Sequence, residues 1–272
     1  MAADLTSGSQ VAPAETPQPP EAAPPSRLAR PHRWRFLFIY GALAAVLGLG
    51  IAGIVVYAGR SINPGPTWSA WKPNGGGLGA AKQIASHVAG AYHLPSGEQL
   101  VDVIAKAPSV SPADQQIPIH YVAVRGTKGN DDLIFPVDSS NSLMFSLCGL
   151  GQSCSIASGK PSVERGTLVR REILELALYT FKYVGSVKHI IAFMPPTPGN
   201  QPQYVVYLQR NDLAQQLKMP LNRTLNPKVP LPTRISPREQ QTIDSTTQSR
   251  VYKFSLSQAQ QGDAILVLQP LA

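Results

Sequence analysis

The sequence predicts an α+β protein: an N-terminal disordered tail, one transmembrane helix, then a mostly antiparallel sheet packed with helices. Three observations carry this expectation. Residues 36–58 contain neither a charge nor a proline. Short β-branched runs bounded by turn residues recur between residues 99 and 269. Helical periodicity interrupts those runs instead of alternating strictly with them, which argues against a doubly wound sheet.

Residues 1–35 read as a Pro-rich cytoplasmic tail. Pro13, Pro17, Pro19, Pro20, Pro24 and Pro25 lie among Ala, Ser, Glu and Gln, a composition that buries too little apolar surface to offset its ordering entropy. Pro17 and Pro20 have the spacing of a polyproline ligand, although a solvated tail is the simpler account. Residues 36–58 (FLFIYGALAAVLGLGIAGIVVYA) would span about 34 Å as a helix, against about 30 Å of bilayer hydrocarbon. A cleaved signal peptide ending near Val56 and Ala58 is the rival reading, but its apolar region is usually about 7–15 residues. Arg27, Arg30, Arg33 and Arg35 precede the span, and Arg60 and Lys72 follow it. That asymmetry predicts a single-pass cell-membrane protein with a cytoplasmic N-terminus and an extracytoplasmic C-terminal domain, its first partner being the lipid bilayer. Ala44, Gly48 and Ala52 recur four apart, a stripe of small residues suited to helix–helix packing and hence to a homodimer.

Residues 59–77 read as a linker rich in Pro and Gly, and 78–272 as the folded domain. Trp68 and Trp71 suit an aromatic anchor at the membrane surface, or a platform for a sugar. Within the domain the patterns predict a helix over 79–93, strands over 99–105, 117–125, 132–137 and 142–148, and a long helix over 162–184. Strands at 187–194 and 203–209, short helices at 211–218 and 237–248, and strands at 250–256 and 263–269 complete the chain. On the long helix Val169, Ile173, Leu176, Ala177 and Phe181 mark the apolar side. Arg171, Glu172, Glu175 and Lys182 mark the charged side, and Gly185 fits the position past the C-cap.

Chemistry-bearing motifs are sparse. Cys148 and Cys154 are the only cysteines. Outside the cytoplasm they would form a disulfide across GLGQS, and their spacing is neither a redox nor a zinc motif. The stretch before the long helix fails as a phosphate loop because Pro161 follows Gly159-Lys160; an anion at the helix start near Ser162 and Arg165 is a weaker alternative. His120 and His189 sit in apolar strands and read as part-buried structural residues. Asp131, Asp132 and Asp138 surround a turn without calcium-loop spacing. No metal or cofactor is implied. The net charge of +8 is scattered, so a nucleic-acid partner is not indicated.

The run CGLGQSCSIASGKPSVERGTLVRREILELALYTFKYV (148–184) resembles a segment of an uncharacterised family of actinobacterial single-pass membrane proteins. The resemblance implies a bacterial cell-membrane setting and transfers no activity. The function expected is a membrane-anchored extracytoplasmic module that binds a protein or a cell-envelope component. A membrane-tethered envelope hydrolase with a site assembled by folding is the alternative.

Overall fold

The structure, a computed structural model, describes residues 38–48, 67–111, 116–126, 131–157, 161–259 and 262–271. The chain divides into two compact units, Met1–Asn63 and Pro64–Ala272. In the first unit, residues 38–48 form a helix (α1) whose residues are all exposed. No helix among the described residues is long and apolar enough to cross a membrane, so the expected transmembrane helix over 36–58 is corrected. Ala44 and Gly48 lie on α1, and among the described residues nothing comes within 4 Å of a Cβ built at Gly48. Ala52, the rest of 36–58, the tail 1–35 and residues 59–66 lie outside the described residues.

The second unit mixes helices with one nine-stranded sheet. Its helices are α2 (Gly77–Ala89), α3 (Val163–Tyr183), α4 (Ala214–Lys218) and α5 (Pro237–Thr247). The strands are β1 (Asp102–Lys106), β2 (Ser109–Val110), β3 (Ile117–Val124), β4 (Leu133–Pro136), β5 (Ser142–Cys148), β6 (His189–Phe193), β7 (Tyr204–Gln209), β8 (Val251–Gln258) and β9 (Ala264–Pro270). They follow the order β1-β5-β6-β7-β8-β9-β3-β2, with β4 also on β3. The strands ending this path, β1 and β2, are separated in the chain by Ala107 and Pro108 alone. The sheet therefore curls until its two ends approach, giving a nearly closed barrel.

Among the described strands the pairing is mostly antiparallel, with two parallel exceptions. β5 pairs with β6 in parallel, because α3 crosses between them, and β3 pairs in parallel with β9. A parallel pair needs a long crossover rather than a tight turn. The remaining neighbours are antiparallel, but β1 pairs with β5 and not with the strand that follows it.

Alternation along the strands builds two cores. Ile119, Val122, Met144, Ile191, Val205, Tyr207, Leu266 and Leu268 fill the inside of the curl. On the other face Leu143, Phe145, Leu147, Ile190, Ala192, Val206 and Leu208 meet the helices. β5 to β7 are thus covered on both faces, which accounts for the near-continuous apolar run SLMFSLC over β5. β8 bears no helix and is largely exposed.

α3 runs through the helical core. The Ser162 hydroxyl caps its start by accepting the Arg165 N–H at 3.2 Å, so the anion proposed for that terminus already has a protein substitute. At the other end the Arg210 guanidinium donates to the carbonyls of Phe181, Val184, Gly185 and Val187 at 2.5, 3.0, 3.2 and 2.7 Å, satisfying groups that a helix leaves open. Gly185 needs no left-handed backbone there. Arg171 and Glu172 are both 0% exposed, which corrects their placement on a solvent face. The residues after β7 and α5 cover the charged side of α3 as the sheet covers the apolar side.

Cys148 and Cys154 are joined in a disulfide at the end of β5. Gly149 is required by this ring: a Cβ there would lie 2.1 Å from the Ser155 carbonyl oxygen. Residues 158–160, between the ring and α3, lie outside the described residues.

Two substitutions separate the contributions. Ile173 is 0% exposed in the helical core, and Ile173→Asp places a charge there without a partner. It should cost more than about 4 kcal/mol and abolish cooperative unfolding in denaturant titrations. Replacing Cys148 and Cys154 together with serine should cost about 2 kcal/mol, the loop-entropy value for a short ring, and leave the fold intact.

Candidate functional site

Four residues of α3, Arg171, Glu175, Tyr179 and Tyr183, recur at i, i+4 and form one stripe. Arg171 at its start is buried. Its Nε donates to Glu239 Oε1 of α5 at 2.8 Å, its Nη2 to the Asn226 carbonyl at 2.7 Å, and its Nη1 to Glu175 Oε2 at 3.1 Å and to the Tyr92 hydroxyl. Tyr92, just past α2, donates in turn to Glu175 Oε2 at 2.7 Å. Glu239 Oε1 also accepts the Asn226 N–H at 2.9 Å. One guanidinium thus ties together α2, α3, α5 and the loop around Asn226.

Above this network opens a cleft of about 430 Å³, within the size range of small-ligand sites. Trp68, Trp71, Tyr179 and His87 wall it, Glu175 lies on its floor, and Asn222 and Asn226 form part of its lip. Trp71 stacks on His87 with ring centres 3.9 Å apart. Tyr179 meets Trp68 and Trp71 edge-on, each at 5.5 Å. The Trp68 carbonyl accepts the Leu221 N–H at 2.7 Å, and the Ser69 hydroxyl bonds Tyr183 Oη at 2.7 Å. These contacts hold residues 67–71 onto the domain. The tryptophans therefore pack against the helical core.

Electrostatics follow from burial. Burial, reinforced by the Glu175 charge, pushes the Tyr179 hydroxyl up to about 12. Burial likewise lowers the His87 imidazole, with Glu175 partly opposing, so this ring is neutral at neutral pH. Glu172, one turn from Glu175, is buried and neither carboxyl oxygen has a hydrogen-bond partner. Burial first, then the Glu175 charge, raises it well above its ordinary value despite Arg171. Glu172 therefore holds its proton to higher pH than a free carboxyl does. Glu175 itself is 15% exposed; its Oε2 is engaged twice, whereas Oε1 has no hydrogen-bond partner among the described residues.

The other residues singled out by the sequence lie elsewhere. The disulfide ring contributes nothing to the cleft wall. His189 Nδ1 pairs with Tyr207 Oη at 2.8 Å, and its ring is part-buried as expected. His120 is exposed, not part-buried, and its Nε2 comes no nearer than 4.0 Å to Asp263. Neither histidine hydrogen-bonds a serine among the described residues. Asp132 pairs with Arg125, and Asp138 Oδ1 accepts the backbone N–H groups of Ser140 and Asn141 at 2.6 and 3.0 Å; both serve turns. Among the described residues no group of three or more His, Cys, Asp or Glu side chains could hold a metal ion. The sequence signal that marks the cleft is the i, i+4 stripe from Arg171 to Tyr183 together with the Trp pair.

The buried acid makes stability pH-dependent. Unfolded, Glu172 titrates near 4.5; folded, it keeps its proton to higher pH. Its contribution is fully present below about pH 4.5 and is lost as the pH rises through the folded value. Glu172→Gln removes that titration. In thermal melts from about pH 4 to about pH 9, the stability of the variant relative to the native protein should rise steadily with pH; a constant difference would show that Glu172 is already ionised in the fold. The chain matches no family model, no curated protein and no solved structure, so a functional reading of the cleft rests on its own geometry.

Proposed function

We propose that the Pro64–Ala272 unit is an extracytoplasmic binding module, which receives a group presented by a protein or cell-envelope component in the cleft between Trp68, Trp71 and Tyr179. The observation that carries this is the cleft's preorganisation. Its rings are fixed by mutual edge and stacking contacts, and its floor is fixed by the Arg171 network. Rigid aromatic side chains in a concave site supply contact area at low entropic cost. The disulfide supports the extracytoplasmic part of the reading, because such bonds persist in oxidising compartments. The hydrolase alternative draws no support from His120 or His189, whose partners are Asp263 and Tyr207.

A photo-crosslinking residue placed at Val229, beside the cleft, should capture a discrete partner in cells expressing the full chain. The same residue at Leu256, exposed on β8, should not. Trp71→Ala should reduce capture at least about tenfold, as expected for a central aromatic contact. Equal capture at both positions, or capture indifferent to Trp71→Ala, would exclude the cleft as the binding site.

A further inference from the structure

We infer that the cleft selects an organic ammonium group, held against the rings of Trp68, Trp71 and Tyr179 and paired with the Glu175 carboxylate. The inference rests on the cleft being the binding site, and it adds the chemistry of what enters.

The charge balance points this way. The whole chain carries a net charge of +8, yet no lysine or arginine is among the described residues lining the cleft. Beneath it the single guanidinium of Arg171 faces two carboxylates, Glu175 and Glu239. One negative charge is left over, and it sits where solvent is largely excluded and Coulomb terms are strong. The neutral His87 ring adds no competing cation. An anionic ligand would meet the Glu175 carboxylate inside the cleft, where the described lining offers it no lysine or arginine; Lys182 lies against the Trp68 ring but is not among the lining residues.

Geometry agrees. Glu175 Oε2 is consumed by Tyr92 and Arg171, which leaves Oε1 as an acceptor for a donor entering from outside. Aromatic rings present negative faces to a cation within about 6 Å. Lys182 Nζ already lies 5.6 Å from the Trp68 ring centre, so this ring accepts an ammonium at that range within the protein itself. An alkylammonium offers both an N–H for Oε1 and a charge for the rings. A neutral alcohol of the same shape offers the first alone.

The test titrates the full chain with n-butylammonium, n-butanol and n-butyrate at matched ionic strength, following tryptophan fluorescence and the indole N–H resonances. n-Butylammonium should give a saturable change, n-butanol should bind at least about tenfold more weakly, and n-butyrate should give none. Glu175→Gln should weaken n-butylammonium binding severalfold. Trp71→Leu should do so too, and keeps the comparison usable if Glu175→Gln disturbs the buried network. Equal binding of n-butylammonium and n-butanol would overturn the charge selection while leaving the cleft as a binding site. No saturable response to any of the three would overturn both. Parallel titrations with Nα-acetyllysine methylamide and with glucosamine assign the ammonium to a peptide or to an amino sugar, and failure of both compounds overturns the proposal.

Discussion

The burial of Arg171 is the constraint on which the helical half of the second unit depends. Removing a guanidinium from water costs several kcal/mol even after the protein relaxes. Here the cost is offset by directed bonds to Glu239, Asn226, Glu175 and Tyr92. Those partners come from different elements, so the geometry that satisfies the charge also fixes where α2 ends and where α5 docks. Lysine could not replace it, because a point charge lacks the planar fork that reaches a carbonyl and a carboxylate at once. Glu172, beside it and without a hydrogen-bond partner, shows the opposite solution: the group stays buried by remaining neutral.

This arrangement explains what was and was not legible in the sequence. α3 and β5 were readable almost residue for residue, since one has strong helical periodicity and the other a dense run of apolar residues. β2 was not, because two residues carry no period. The strand partners were hidden as well. Nothing local in Ala264–Pro270 says that β9 will lie parallel to β3. Arg171 and Glu172 were misread for a general reason: helical periodicity records a charge as a vote for solvent, whereas a second layer of chain can bury it with partners drawn from far along the sequence. The apolar run over 36–58 invited a spanning helix, and Trp68 and Trp71 were read beside it as membrane anchors or a sugar platform. Their contacts with Tyr179 and His87 are long-range facts that only the fold supplies.

The cleft and the helical core share side chains. Tyr179 is 4% exposed and belongs to the core, yet it also forms the cleft wall. Glu175 is at once a ligand of the buried guanidinium and the one carboxylate that the cleft presents. Recognition and stability are therefore coupled at these positions, whereas Asn222 at the lip is free to vary without touching the core.

The position of β9 bears on how the chain reaches this state. The last strand in sequence order lies between β8 and β3 and brings Ala264 beside Ile119. α3 and β5 to β7 can assemble from neighbours close in sequence. The inner core cannot, since Leu266 and Leu268 form part of it. Its closure requires a contact of high sequence separation, which carries a large loop-closure entropy and slows folding. A nascent chain lacking β9 exposes the edge of β3, an open template for unwanted strand pairing.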